Sequence, residues 1–473
     1  MSRPGRAARR RLSAGSVGGA ALLLLLAAPR PADAAACDDG GLQPVARPKL
    51  AVLTYFWHKP KQFQCTRIVP RGGPVDSADT GWGGYYHRRF RRLKEHGVDV
   101  LGFVFTGFAP PDPAVDGSRP STEFDGENLA AAVPLARDVG LPFFLYYDLK
   151  VRTAAKSLRC RVADPAGTPC RNPKHKPLRN FELKKRVLFR QLRDDFLRIK
   201  DDLILPNLDS YYMLEDEAGR PILDERGLPR PVIGIYIARN LEPDRRLEKL
   251  VQVVTRAYRR DGLGQPAFLL DAIWWYDQEH DEVHECVDPD EEVVSDRLLD
   301  RFGGSVAAVT SFFPVGAAHA EKCGIETMRR WAPAMSGLYA EAAAELDERP
   351  GSTVSIWPGI AAMFDNRRRD RRQCELEREP TTVRAAWLID GPGDWRRLLR
   401  MAYDAARAPA ACVSPDEPGP IRPQALVVNY DNEFRESAVT DCVRTQGGEA
   451  VYPYRYGCEL LEVVREEDRW PGR

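Results

Sequence analysis

The chain has 473 residues, of which 69 are Lys or Arg and 68 are Asp or Glu, so its formal net charge is +1. The first 36 residues hold six arginines and one aspartate, and without them the net charge is about −4. This balance argues against a nucleic-acid partner, because such proteins usually concentrate positive charge.

Residues 1–36 are predicted to be an export signal. Basic residues from Arg3 to Arg11 precede an apolar core at Ala20 to Ala28 and an alanine-rich exit. That core is too short to span a bilayer, and no later segment is long and apolar enough to do so. We expect a secreted or periplasmic soluble protein without a transmembrane segment. Lipid anchoring at Cys37 and twin-arginine export through Arg9-Arg10-Arg11 are alternatives.

The ten cysteines predict disulfide bonds rather than a zinc site, because no two of them form a C-x-x-C pair and the histidines do not cluster with them. Five bridges account for all ten, whereas lipidation of Cys37 would leave one free thiol. The spacing leaves the pairing open. The cysteines are Cys37, Cys65, Cys160, Cys170, Cys286, Cys323, Cys374, Cys412, Cys442 and Cys458.

Eight short apolar runs alternate with amphipathic stretches along residues 37–473. This alternation predicts a single-domain α/β fold, a (β/α)8 barrel of the TIM type with long loops, with an open doubly wound sheet as the alternative. The polar insertion 209–230 is predicted to be a loop or a small β-hairpin. The runs are Leu50–Phe56, Val98–Phe105, Leu141–Tyr147, Val232–Ala238, Ala267–Ile273, Val306–Phe313, Val354–Trp357 and Ala425–Asn429. The predicted helices are Tyr85–His96, Asn128–Val139, Glu182–Asp201, Arg246–Arg260, Ile325–Leu346 and Asp394–Ala408.

Aromatic and acidic residues follow several of these runs, at the ends where (β/α)8 barrels carry their chemistry. Aromatic faces pack against the C–H groups of sugar rings, and acids bind the hydroxyls, so the set predicts a carbohydrate cleft. The predicted substrate-binding residues from the first seven runs are Tyr55, Trp57, His58, Tyr147, Asp148, Asp271, Trp274 and Trp357.

The last run ends at Asn429 and leads into Asn432, Glu433 and Glu436. Two carboxylates three residues apart can act on neighbouring atoms of one substrate, and a paired acid and base is what cleavage of a glycosidic bond requires. Glu433 and Glu436 are therefore the predicted catalytic residues, with Asn432 beside them as a substrate contact.

Other catalytic classes lack their motifs in this sequence. His280 and His284 are four residues apart, but the acid between them is not at the zinc-protease position. No phosphate-binding loop, dinucleotide fingerprint or G-x-S-x-G motif occurs. We therefore expect neither a metal nor a cofactor, and a polysaccharide or oligosaccharide as the partner.

The segment Asn432-Glu433-Phe434-Arg435-Glu436 resembles the N-E-W-H-E motif of family 99 glycoside hydrolases, the endo-α-mannosidase family, and of their relatives in O-antigen gene clusters. Tyr55-Phe56-Trp57 is similar to the opening Y-Y-x-W strand of that family, and Gly97-Val98-Asp99 to its second strand. Leu145-Tyr146-Tyr147-Asp148 stands where the family has I-E-P-Y. Trp357-Pro358-Gly359 with Asp365-Asn366-Arg367 resembles its P-G-x-D-N-x-x-R element, and the segment from Tyr456 to Leu461 its closing helix.

The resemblance implies hydrolysis of an α-linked, mannose-containing glycan through a 1,2-anhydro sugar, with retention at C1. Glu433 would take the proton from the sugar 2-hydroxyl, and Glu436 would protonate the leaving oxygen. Phe434, Arg435 and Asp148 depart from the family pattern, which keeps two alternatives open: a non-catalytic glycan-binding barrel, and a polysaccharide-assembly protein. Linkage, endo or exo action and oligomeric state do not follow from the sequence.

Overall fold

The central sheet contains nine strands within the part of the chain that the computed structural model describes. That part comprises residues 43–44, 48–56, 68–70, 75–76, 80–105, 126–149, 186–236, 238, 241, 243–273, 294–311, 328–349, 352–361, 364–365, 386–387, 392–406, 412–413, 423–429, 443–445 and 458–468. The strands are β1 (Lys49–Thr54), β2 (Val100–Phe105), β3 (Phe143–Asp148), β4 (Val232–Tyr236), β5 (Ala267–Asp271), β6 (Val306–Thr310), β7 (Ser355–Ile356), β8 (Gly359–Ile360) and β9 (Leu426–Asn429). All neighbouring strands of this sheet are parallel, in the order β8-β9-β1-β2-β3-β4-β5-β6-β7.

The two ends of this sheet meet in one segment. Strands β7 and β8 are separated by only Trp357 and Pro358, yet β7 pairs with β6 and β8 pairs with β9. The amide of Trp357 donates to the Val309 carbonyl (2.9 Å), and the amide of Val428 donates to the Pro358 carbonyl (2.8 Å). The sheet therefore closes on itself, and β7 and β8 together form the seventh strand position of a (β/α)8 barrel.

Eight helices follow the strands in the described residues and cover the outside of the barrel. Helix α4 shows why they form: its N-cap Asp244 accepts from the amides of Arg246 and Leu247, and Leu247, Leu250 and Val254 bury one face. The helices are α1 (Tyr85–Glu95), α2 (Gly126–Val139), α3 (Arg186–Arg198), α4 (Arg245–Arg260), α5 (Asp296–Phe302), α6 (Met328–Glu348), α7 (Pro392–Ala406) and α8 (Glu459–Asp468).

Shorter elements complete the described structure. A π-helical segment, Ile199–Ile204, continues α3, and 3-10 turns follow at Leu205–Asn207 and Gly303–Ser305. Three antiparallel pairs of short strands lie outside the barrel: Gln43–Pro44 with Cys412–Val413, Ile68–Pro70 with Val443–Thr445, and Phe364–Asp365 with Ala386–Trp387. No described helix is both long and apolar enough to cross a membrane.

The segment 208–231 covers the N-terminal end of the barrel. Its bridges Glu215 with Pro221 and Leu223 with Pro229 form a small antiparallel hairpin. The Tyr211 hydroxyl donates to the carbonyl of Val232, the first residue of β4 (2.7 Å), and Lys49, the first residue of β1, forms an ion pair with Glu215. Asp148 and Asp271, two of the predicted site residues, stand at the opposite, C-terminal end of the barrel.

The predicted barrel is confirmed, and its strands match the apolar runs to within a few residues. Helix α5 was not predicted, because seven residues are too short to give a clear helical period. No free cysteine occurs among the described residues. The disulfides, the export signal and the extent of the domain remain predictions.

Candidate functional site

Four polar residues stand at the last positions of four consecutive strands. Asp148 ends β3 and is the register partner of Tyr236, which ends β4. Asp271 ends β5 and is the register partner of Thr310, which ends β6. Because these strands are parallel, all four residues lie at the same, C-terminal end of the barrel, and all four are buried.

Tyr146 lies two residues before Asp148 and on the same face of β3, since side chains alternate along a strand. Its ring covers Gly234 of β4: a Cβ atom on Gly234 would lie 2.1 Å from the Tyr146 ring. Only glycine leaves room there. Tyr146 therefore fills the barrel interior just below the two carboxylates.

Four ionisable side chains act electrostatically on the Tyr146 hydroxyl. Burial raises the pKa of Tyr146, and Asp271, Tyr236, Asp148 and Tyr339 raise it further. We call these five residues the inner cluster. Because Tyr146 stays protonated at neutral pH, it is a neutral O–H group beside two carboxyl groups, which is an arrangement that can hold sugar hydroxyls.

Tyr339 joins the inner cluster from helix α6. Its hydroxyl donates to the Gly359 carbonyl and accepts from the Gly359 amide, both at 2.8 Å. Burial raises the pKa of Tyr339, the hydrogen bond to Gly359 opposes this, and Asp271 adds to it. A Cβ atom on Gly359 would lie 1.9 Å from the Ser311 carbonyl oxygen, so β8 can approach β6 this closely only at glycine.

The structure does not place Tyr147 with the other predicted substrate contacts. Its side chain points away from the barrel interior: the hydroxyl donates to Asp195 of α3 (2.5 Å), and the ring packs against Phe196 at 5.6 Å. The prediction assigned the consecutive residues Tyr147 and Asp148 to one side of the strand, and so it missed the alternation of side chains along β3. Tyr147 holds α3 against the barrel, and Tyr146 occupies the inner face.

Tyr55 and Trp357 are at the C-terminal end but are packed as core residues. Tyr55 is 2% exposed and its carbonyl accepts from the Tyr86 hydroxyl at 3.0 Å; Trp357 is 0% exposed. Neither ring presents an open face to a sugar. The Trp357 indole nitrogen and the Thr310 hydroxyl are buried without a hydrogen-bond partner among the described residues, although buried polar groups are usually paired.

Six predicted site residues lie outside the described residues: Trp57, His58, Trp274, Asn432, Glu433 and Glu436. Strand β9 ends at Asn429, at the end of the barrel where Asp148 and Asp271 lie, and Glu433 and Glu436 follow Asn429 by four and seven residues in the sequence. Their catalytic assignment remains a prediction.

Three members of the inner cluster, Tyr146, Tyr236 and Tyr339, were not predicted from the sequence. Gly234 was the available signal for Tyr146. A glycine inside an apolar strand often marks a close approach by a large neighbour, and here Tyr146 makes that approach from β3. No such signal marked Tyr339, because it belongs to a helix, and only the packing of that helix against the barrel decides which groups its side chains contact. Within the described residues, no group of three or more His, Cys, Asp or Glu could hold a metal ion.

No protein-family model matches the chain, and no curated protein matches it. Among solved structures, a "glycoside hydrolase-like protein" superposes with a TM-score of 0.53 at 15% identity, over 93% of this chain and 99% of that one. The GH99 endo-alpha-mannosidase from Bacteroides thetaiotaomicron gives a TM-score of 0.48 at 11% identity, over 89% of this chain and 98% of that one. At these identities the likeness concerns the fold alone: the chain shares a (β/α)8 barrel with the first of these structures, and membership of family 99 does not follow.

Proposed function

We propose that this protein is an exported glycoside hydrolase that cleaves an α-linked, mannose-containing glycan with Glu433 and Glu436. The observation that carries the proposal is that β9, the last strand of a closed (β/α)8 barrel, ends at Asn429, four residues before the E-x-x-E segment in the sequence. Catalytic groups of this fold come from the C-terminal ends of several strands, and Asp148 and Asp271 occupy the same end.

The inner cluster supports a sugar as the ligand. Two carboxyl groups can accept hydrogen bonds from hydroxyls, and protonated tyrosines can donate to hydroxyl or ring oxygens. Pyranose hydroxyls need such alternating donors and acceptors, in a site that is otherwise apolar. We assign Asp148 and Asp271 to substrate binding, with Tyr146 between them.

The proposed reaction has two steps. Glu433 takes the proton of the 2-hydroxyl, O2 attacks C1 to form a 1,2-anhydro sugar, and Glu436 protonates the departing glycosidic oxygen. Water, deprotonated by Glu436, then opens the strained ring at C1, and Glu433 returns its proton to O2. Two inversions at C1 give net retention, as in other retaining glycosidases.

Arg435 gives a reason to keep a second candidate, a barrel that binds glycan without turnover. A cation next to Glu436 would lower the pKa of that carboxyl group and so disfavour the protonated form that a general acid needs. Arg435→His would remove a permanent charge. If Arg435 contacts Glu436 in an active enzyme, this variant should shift the pH profile of turnover toward higher pH.

Release of reducing ends from a panel of α- and β-linked glycans tests the function directly. We expect release from an α-mannose-containing polymer by the secreted protein, and a product of retained configuration by NMR at early times. Binding isotherms without release of reducing ends would favour the second candidate. Neither binding nor release on any glycan would contradict both.

A further inference from the structure

Trp82 is an exposed tryptophan that contributes little to the packing of the fold. Its side chain is 64% exposed, and it stands in the turn Gly81-Trp82-Gly83-Gly84 that precedes helix α1. Its chain neighbours Gly81 and Gly83 carry no side chains that could cover the indole. Burying this ring against a ligand would be favourable, because it removes apolar surface from water.

The turn that carries Trp82 is held rigidly. The Gly83 amide donates to Nδ1 of His87 (3.0 Å), the Arg88 guanidinium donates to the Gly83 carbonyl, and Gly83 has a φ of +73° that favours glycine. The Trp82 ring meets the His87 ring edge to face, with centroids 5.0 Å apart. The indole is therefore held in place before any ligand arrives, which lowers the entropic cost of binding.

A carboxylate lies beside this platform. Because Nδ1 of His87 accepts from Gly83, its Nε2 carries the proton and donates to Oδ2 of Asp138 at 2.9 Å. Asp138 stands near the end of α2 with its side chain 47% exposed. Its second oxygen can accept a hydrogen bond from a ligand hydroxyl.

A row of cations continues from the platform along α1. Helix Tyr85–Glu95 contains five Lys or Arg residues against one acid, Glu95. Arg88, Arg91 and Lys94 are exposed and three residues apart, so they lie along one side of the helix. Arg91 and Lys94 form no ion pair with any described residue.

The dimensions of the surface limit what it can bind. The other exposed large apolar residues in the described chain are Leu208 and Leu223, which belong to the segment at the N-terminal end of the barrel. One indole without apolar neighbours falls far short of the roughly 1,000 Å² that a stable protein interface buries, but it matches the face of a single pyranose ring. A sugar hydroxyl can donate a hydrogen bond to Asp138, whereas the ionised phosphates of a membrane surface or a nucleic acid can only accept one.

We propose that Trp82, Asp138 and the stripe of Arg88, Arg91 and Lys94 bind a strand of acidic polysaccharide. One pyranose stacks on Trp82 and donates a hydroxyl hydrogen bond to Asp138, while acidic groups of the following sugars meet the cations. This surface lies on the helical layer and is distinct from the inner cluster. It does not require cleavage of the glycan, so it can be tested whether or not the proposed hydrolysis occurs.

Affinity electrophoresis of the full-length Glu433→Gln protein in gels containing polygalacturonate tests the site. Trp82→Ala should weaken binding about tenfold, since an aromatic contact and its buried area contribute on the order of 1.4 kcal/mol, and Trp82→Phe should recover part of the loss. Arg88→Gln combined with Arg91→Gln should weaken binding and reduce its salt dependence. The matched controls at the N-terminal end of the barrel, Leu223→Ala and Arg226→Gln, should bind as the parent does.

Neutral mannan, phosphatidylglycerol vesicles and single-stranded DNA serve as comparison ligands. We expect polygalacturonate to bind more tightly than all three, with Trp82 required. Absence of binding to polygalacturonate, or binding that Trp82→Ala leaves unchanged, would overturn the proposal. Trp82-dependent binding of vesicles or DNA as tight as that of polygalacturonate would overturn it as well.

Discussion

The two ends of the barrel use acidic residues differently. At the N-terminal end, Asp224 accepts hydrogen bonds from the amides of Arg226, Leu228 and Gln265 and from the Arg259 guanidinium. At the C-terminal end, Asp148 and Asp271 lie beside the phenol of Tyr146 and raise its pKa. The first arrangement ties a loop to a helix, whereas the second collects polar groups around one point inside the barrel.

The acids at the N-terminal end stabilise the fold, whereas those at the C-terminal end are assigned to substrate binding. Burial by itself would raise the pKa of Asp224, but hydrogen bonds from Arg226, Arg259, Leu228 and Gln265 outweigh it and lower that pKa. Lys200 behaves in the same way: burial would lower its pKa, but hydrogen bonds to Asp201 and Asp261 raise it. Both interactions favour the folded charged state, as expected of the end of a barrel that stabilises rather than reacts.

The largest expected effect is at the C-terminal end. Glu433→Gln and Glu436→Gln should each lower turnover by ~10²–10⁴-fold, because each removes a general acid or base, while unfolding free energy changes by about 0.5 kcal/mol or less. An activated aryl leaving group should rescue Glu436→Gln but not Glu433→Gln. Glu225→Gln, at the other end, should turn over as the parent does. Parental rates in both glutamine variants would move the chemistry to other residues, with Asp148 and Asp271 next.

At the N-terminal end, Asp224→Asn should lower the free energy of unfolding by about 3 kcal/mol, because it breaks a buried ion pair and leaves amides unpaired. Turnover per folded molecule should not change. Urea unfolding measures the first and initial rates the second. Glu225→Gln is the matched control, since Glu225 binds the same Arg259 but its side chain is 65% exposed, and it should cost less than about 1 kcal/mol. Equal losses in the two variants would contradict the role given to burial.

Gly234→Ala should destabilise the protein by about 1–3 kcal/mol, because the new methyl group would overlap the Tyr146 ring and force it to move. The displacement of Tyr146 should also lower turnover. Gly337→Ala is the control: it lies in helix α6 with open space around a Cβ atom, so alanine should stabilise by roughly 0.5–1 kcal/mol. Thermal unfolding of both variants checks this. A neutral Gly234→Ala would mean that Tyr146 does not pack over β4.

Tyr146→Phe and Tyr147→Phe compare the two faces of one strand. Tyr147→Phe should cost about 1 kcal/mol of stability through its lost bond to Asp195 and leave kcat/KM unchanged. Tyr146→Phe should lower kcat/KM on the order of tenfold, as expected for one lost hydrogen bond to substrate. The reverse pattern, with Tyr147→Phe impairing turnover, would restore Tyr147 as a substrate contact.

The smallest expected effect is the loss at low pH of the stability that Asp224 contributes. Burial would raise the pKa of Asp216, but hydrogen bonds from Arg220 and Ala218 outweigh burial and lower that pKa. Asp224 behaves in the same way, so both folded-state pKa values lie below the ordinary value of 3.8. A lowered folded pKa stabilises the protein above the unfolded pKa, and this stability is lost as pH falls through the folded pKa. The difference in unfolding free energy between the parent and Asp224→Asn should therefore shrink below about pH 3.8. A difference independent of pH would show that the charge of Asp224 is not the cause.

The spacing of apolar runs was enough to predict the barrel, because a strand buried on both faces must be apolar throughout and its helix must be amphipathic. The sequence did not predict that the seventh strand position is divided into two short strands. Its division into β7 and β8 depends on the hydrogen bonds of Trp357 and Val428 to different neighbours. The 36-residue leader and the E-x-x-E segment are sequence predictions whose residues lie outside the described structure.

The sequence by itself determined which strand ends carry acids, since Asp148 directly follows one apolar run, Asp271 stands near the end of another, and parallel strands share one end. Only the tertiary structure decided which aromatic rings lie among those acids. Tyr146 and Tyr147 are chemically identical neighbours in the chain, and the face of the barrel that each occupies depends on the register of β3 with Gly234 of β4 and on the packing of α3. Register and helix packing are contacts between residues far apart in the sequence, so no local pattern specifies them.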